Sequence, residues 1–251
     1  MTHRSRLWEV DMLRGIAFVL MASYHLLFFI NFLEIASLPI DHWAIWLLGR
    51  VSALLFIVLV GCSAQLRFWQ LSERFSADLL TWQFLKRALT IFGCGLVITG
   101  ITALYIPELA VIFGILHFIG VSTLFARFLV ELSNRWLLGC TISLWLVGSL
   151  FEQLSTNTHW GLIFGIKPLG FSSLDYYPLF PWLGLVCLGI MVCRKLYAGS
   201  TRVAVLQLLL PRSIPTPLLP YTWIGRHSLA LYMLHLPLFM AIFWILGILP
   251  S

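Results

Sequence analysis

Charge is what this 251-residue sequence has least of: Asp, Glu, Lys and Arg make up 10% of it, against 60% for hydrophobic residues. A water-soluble domain carries about 25% charged residues, so water is excluded as the solvent for most of this surface. Also missing are a phosphate-cradling glycine loop, a Gly-x-Ser-x-Gly elbow and a His-Glu-x-x-His helix. Their absence leaves no motif for nucleotide hydrolysis, serine hydrolysis or zinc proteolysis. The five cysteines, Cys62, Cys94, Cys140, Cys187 and Cys193, form no Cys-x-x-Cys pair and fall within or beside apolar stretches. They read as small packing residues, not as a metal site or a disulfide framework. No two histidines stand three or four apart, so metal ligation has no local signature. With no Gly/Ser linker, low-complexity tract or internal repeat, one domain over residues 1–251 is expected.

What the sequence does have is long apolar runs, and runs of about eighteen or more such residues read as transmembrane helices. Run length and punctuation place helices at about 10–32, 43–67, 84–105, 109–130, 136–152, 177–196 and 222–248. The fold class expected is all-α: a polytopic membrane helix bundle with about seven transmembrane helices. Segment 202–210 is too short to span and is assigned to the inner interface. The first run opens on Glu9 and Asp11 and is followed by no small-residue cleavage site, so it is read as an uncleaved helix. Trp43, Trp46, Tyr105, Trp136, Tyr177, Trp182 and Trp223 sit near helix ends, where amphipathic rings favour the headgroup layer.

A net charge of +6 could point to nucleic acid, but the placement of the basic residues explains it otherwise. With a cytoplasmic N-terminus, fourteen of the sixteen fall on the cytoplasmic side, in the N-terminal segment and the loops near Arg74, Arg127 and Arg202. Only Arg50, within helix two, and Lys167, in an outer loop, depart from this positive-inside pattern. The N-terminus is therefore expected inside and the C-terminus outside, with the lipid bilayer as partner and no nucleic acid.

Ionisable groups inside a bilayer are functional candidates because burying them is costly. Arg14 and His25 are eleven residues apart, close to three turns, so they share a helix face at a separation of about 16 Å. One reading is an anion-holding Arg below a general base; the other is a snorkelling Arg and a core His bonded to a carbonyl. His42 follows Asp41 just before helix two, where a carboxylate could raise imidazole basicity or where both are simply solvated. Arg50 lies about two turns inside helix two and is expected to face a polar cavity. His117 sits in helix four, and Ser228, Tyr232 and His235 form a stripe at i, i+4 and i+7 on the last helix. Such groups either take part in chemistry or hold helices together. The outer connection 153–176, which ends near Asp175, is long enough to help form a substrate mouth.

Residues 9–25, beginning Glu-Val-Asp-Met-Leu-Arg-Gly and ending at His25, resemble the first catalytic helix of the heparan-α-glucosaminide N-acetyltransferase-like family. The Arg14 and His25 spacing is also similar to the Arg-x10-His motif of acyltransferase family three. Further similar stretches are 54–63, 114–120, 175–182 and 225–235, in family order over nearly the whole chain. The resemblance implies acyl transfer from cytoplasmic acetyl-CoA to a carbohydrate or glycolipid acceptor at or beyond the outer face. It also implies a prokaryotic plasma (inner) membrane protein with no permanently bound cofactor or metal, and leaves room for a homo-oligomer. His42 corresponds to the outer-loop His of the heparan enzyme, and His25 to the catalytic His of acyltransferase family three.

A thioester is already activated, so the protein mainly supplies a base and oxyanion donors. The outer-loop position favours His42 for proton abstraction, with His25 nearer the thioester. CoA phosphates need cations at the cytoplasmic mouth, where topology gathers Arg14, Arg87 and Arg226. Arg50, His117, Asp175, Ser228, Tyr232 and His235 are the expected cavity or substrate-binding residues. The rival readings are a small transporter with His25, Arg50 and His235 along its path, a haem or electron-transfer protein using helix histidines, and a structural subunit without chemistry.

Overall fold

Leu, Ile, Val and Phe in unbroken runs satisfy their backbone polar groups within a membrane only by coiling into helices. The computed structural model describes residues 7–39, 42–199 and 201–247. The long helices are α1 (Trp8–Phe32), α2 (Trp43–Ser72), α3 (Ala77–Tyr105), α4 (Ile115–Leu129), α5 (Asn134–Phe151) and α6 (Leu179–Leu196). Two short ones follow, α7 (Ala204–Leu209) and α8 (Leu219–Arg226), and then α9 (Ser228–Ile245). The strands among the described residues are two-residue pairs: Ser155–Thr156 with Lys167–Pro168, and Tyr197–Ala198 with Thr201–Arg202.

The all-α membrane class is borne out: α1, α2, α3, α6 and α9 are long and apolar enough to cross a bilayer. Exposed side chains such as Leu89, Leu96, Ile101 and Leu104 of α3, with Trp136 and Leu146 of α5, suit hydrocarbon and not water. Helix α2 runs on to Ser72 and α3 starts at Ala77, both longer than expected, and two further boundaries differ. Helix α4 begins at Ile115, not near 109, because Pro107–Leu109 forms a separate 3-10 turn and Gly114 is extended. The last helix, expected over 222–248, is interrupted where His227 leaves helical values at φ −106° and ψ 13°, so α8 and α9 are distinct.

Two compact units are present, residues 1–56 with 211–251, and residues 57–210. The first contains α1, the N-terminal half of α2, α8 and α9. Its helices α1 and α8 approach backbone to backbone: a Cβ on Gly225 would stand 1.7 Å from the Asp11 carbonyl oxygen, and one on Gly15 1.9 Å from that of Tyr221. Small residues at such crossings are how membrane helices gain close packing without a hydrophobic drive between them. Ser52 Oγ on α2 donates to the Ala17 carbonyl of α1 at 2.8 Å.

The second unit holds the rest of α2 and α3 through α7 around a core that includes Ile57, Phe84, Phe118, Leu137, Val186 and Ile190. Here Gly61 of α2 and Gly189 of α6 make the reciprocal approach, each against a carbonyl of the other helix. Arg194, near the end of α6, donates to the Val130 and Leu132 carbonyls, each at 2.7 Å, and to Gln65 Oε1 at 2.8 Å. It thereby satisfies carbonyls left open after α4.

Candidate active site

In the first unit, one face of α1 carries Asp11, Phe18 and His25 towards α8 and α9. Asp11 is buried, and its Oδ1 accepts from Arg14 Nη1 at 3.0 Å, one helical turn on. Its Oδ2 accepts from Arg226 Nε at 3.4 Å. A buried carboxylate is tolerated here because two guanidinium groups compensate it. Asp11 was not among the expected site residues, although its position three residues before Arg14 is the usual helical spacing for an ion pair. Arg87 stands exposed on α3 and belongs to the second unit.

Two turns beyond Phe18 on the same face, His25 Nδ1 lies 2.9 Å from His235 Nε2 of α9, with the ring centroids 5.0 Å apart and the planes 26° from parallel. His235 is buried and turns its Nδ1 to the Tyr232 carbonyl at 2.6 Å. Phe18 packs edge-on against the His235 ring at 5.9 Å. His25 Nε2 has no hydrogen-bond partner among the described residues. The 2.9 Å separation is that of a hydrogen bond.

The other candidates of this unit are differently placed. His42 is exposed at the start of α2; its Nδ1 accepts from the Ala44 N–H at 3.3 Å and its carbonyl accepts from Ile45 and Trp46. That is helix N-capping, which uses one ring nitrogen. Asp41, its expected partner, lies outside the described residues. Arg50 is exposed and lies over the Trp46 ring at 5.3 Å, a cation–π contact in place of the expected polar cavity. Tyr232 sits beside His235 at 5.5 Å, and Ser228 is partly buried one turn earlier.

His117 and Asp175 belong to the second unit, where both make hydrogen bonds at the first turn of α4. Asp175 Oδ2 accepts from the Ile115 N–H at 2.7 Å, capping the N-terminus of α4. His117 reaches back from the same turn, its Nδ1 accepting from the Gly114 N–H at 3.3 Å and its Nε2 standing 3.3 Å from Thr99 Oγ1. The Thr99 hydroxyl in turn donates to the Val111 carbonyl. Gly114 must lack a Cβ, which would fall 2.3 Å from Asp175 Oδ2. Burial pushes the Asp175 carboxyl up to about 6, against the downward pull of the Ile115 N–H. Burial likewise raises the Tyr176 hydroxyl to about 12; it donates to the Leu162 carbonyl at 2.7 Å. The connection before α6 is thus docked onto the α3–α4 turn, with Leu174 N–H on the Leu109 carbonyl and Tyr177 N–H on that of Phe113.

The family described as heparan-alpha-glucosaminide N-acetyltransferase, catalytic, matches residues 6–237. The chain belongs to this family. The match covers the α1 face, the Asp11 cluster and the His25–His235 pair alike. No curated protein and no solved structure matches the chain. Membership in the N-acetyltransferase family and the apolar helices together make this a membrane protein with an acetyltransferase-type catalytic domain. Among the described residues, no group of three His, Cys, Asp or Glu could hold a metal ion.

Proposed function

We propose that the chain is a transmembrane acyltransferase that moves an acetyl group from cytoplasmic acetyl-CoA to a carbohydrate or glycolipid acceptor at the outer face. The observation that carries this is the polar face of α1. It has a guanidinium pair steadied by Asp11 near its start and, eleven residues on, an imidazole with one nitrogen engaged and the other open. The positive-inside distribution supports a cytoplasmic N-terminus and seven spans, the shorter α4 and the 18-residue α5 joining the five others, in a prokaryotic inner membrane.

Arg14 and Arg226 take the CoA phosphates. Asp11 leaves them a net single positive charge and holds their planar forks in place, which suits bidentate phosphate contact. His25 is the base. Its Nε2 removes the proton from the acceptor hydroxyl or amine as that atom adds to the thioester carbonyl. Collapse of the tetrahedral adduct breaks the carbon–sulfur bond, and the imidazolium returns the proton to the departing CoA thiolate. Tyr232, beside His235, lies towards the acceptor, and Ser228 lies one turn nearer to Arg226 and the CoA phosphates. His42, exposed and engaged in capping α2, meets the acceptor without taking its proton.

Geometry therefore favours His25 over His42, because His25 is held by a second side chain whereas His42 keeps only a backbone contact. The test is acetyl transfer from radiolabelled acetyl-CoA by the protein in native-lipid nanodiscs, with mass spectrometry of the glycans. His25→Ala should lower transfer about a hundredfold or more, the scale of a positioned base, while acetyl-CoA still raises the melting temperature. His42→Ala should have a much smaller effect. Near-wild-type transfer by His25→Ala would sink the assignment.

A further inference from the structure

We infer that His235 is a positioning residue: with the Tyr232 carbonyl, it fixes which nitrogen of His25 is basic. The inference rests on the reading of His25 as the base. It follows from counting protons along the chain of contacts. A carbonyl oxygen only accepts, so the 2.6 Å contact to Tyr232 requires an N–H at His235 Nδ1. A neutral imidazole has one N–H, which leaves a lone pair at His235 Nε2. The 2.9 Å contact to His25 then requires an N–H at His25 Nδ1. The lone pair of His25 is left on Nε2, the nitrogen without a partner among the described residues.

This is the arrangement of a nucleophile's base held by a third group, with a second imidazole and a backbone carbonyl in place of a carboxylate. Packing fixes it further. Phe18 and Phe239 meet the His235 ring edge-on, both at 5.9 Å, and Tyr232 meets it at 5.5 Å, so the ring cannot turn over without repacking. Through Nδ1 on the Tyr232 carbonyl, His235 holds its own ring and passes the orientation on to His25. A neutral orienting group adds no charge beside the base, unlike the carboxylate of a serine-protease triad.

The full chain in nanodiscs, with nitrogen-labelled histidine, separates this role from simple helix gluing. Nitrogen NMR reads the tautomer, and His25→Ala identifies the His25 signals by difference. Wild type should show His25 protonated at Nδ1 and bare at Nε2. His235→Gln, whose amide oxygen can accept from His25 and whose amide nitrogen can donate to Tyr232, should keep that tautomer. His235→Phe should give a mixture. Radiolabelled acetyl-CoA with a glycolipid extract of the native membrane is the second arm. There His235→Phe should lower kcat about a hundredfold with KM for acetyl-CoA unchanged, and His235→Gln should stay within about tenfold of wild type. A wild-type proton on Nε2, or equal losses for the Gln and Phe variants, would overturn the inference; the wild-type spectrum decides even if the Phe variant does not fold. If the tautomers behave as expected and no variant or wild type transfers acetyl, the acyltransferase reading fails while the positioning of His25 stands.

Discussion

The Asp11 carboxylate on α1 accepts a hydrogen bond from the Arg226 guanidinium on α8, Nε to Oδ2 3.4 Å, across most of the chain's length. Its other oxygen holds Arg14. Asp11→Asn removes a buried charge that two cations share. Stability should fall by about 3 kcal/mol, the lower end for a broken buried pair, because the Arg226 side chain is 40% exposed and can rehydrate. Arg226→Ala should cost less than half as much. Denaturation midpoints in one detergent compare the two, and a larger loss for Arg226→Ala would contradict the shared-carboxylate geometry.

The Asp175 cap makes stability depend on pH. The folded carboxyl titrates near 6, above its ordinary value of 3.8, so the folded state binds the proton more tightly than the unfolded chain. This contribution is fully present below about pH 4 and is lost as pH rises through about 6. Against a pH-matched wild type, Asp175→Asn should remove that part of the decline. Parallel melting curves between pH 4 and 7 for both proteins would show the titration lies elsewhere.

Two glycines should respond oppositely to alanine. A methyl at Gly225 meets the Asp11 carbonyl, so backbone must move, at about 1–3 kcal/mol or more. Gly139, within α5, has nothing within 4 Å of an added Cβ, and Ala there should stabilise by about 0.5–1 kcal/mol through helix propensity. Equal tolerance at both sites would mean that α1 and α8 are not in backbone contact.

Orientation is tested by reporters at Ser133, before α5, and Asn157, after it. If α5 crosses the bilayer, a cytoplasmic reporter should be active at Ser133 and silent at Asn157. The same response at both would remove α5 from the spans and reverse the side assigned to everything after it.

Low charge and apolar run length sufficed to reveal the membrane class and most helix positions, and the stretches 9–25, 54–63, 114–120, 175–182 and 225–235 carried the resemblance to the family. These are local or summed properties, and a helix in lipid needs no distant residue to form. The face shared by Arg14 and His25 was legible for the same reason, since helical periodicity alone decides it. What the histidines do was not legible. His25 and His117 look alike as single imidazoles in apolar helices, yet one meets a second imidazole 210 positions away and the other closes the first turn of its own helix. That His42 also caps α2 and Asp175 also caps α4 could not be read from the sequence. Asp11 stands out in the sequence only as an acidic residue opening the first run, because its second partner, Arg226, becomes a neighbour only when Gly15 and Gly225 let α1 and α8 touch. Hydrogen bonds act over about 3 Å, so which side chains pair across helices is decided by backbone packing, and only the tertiary structure carries that.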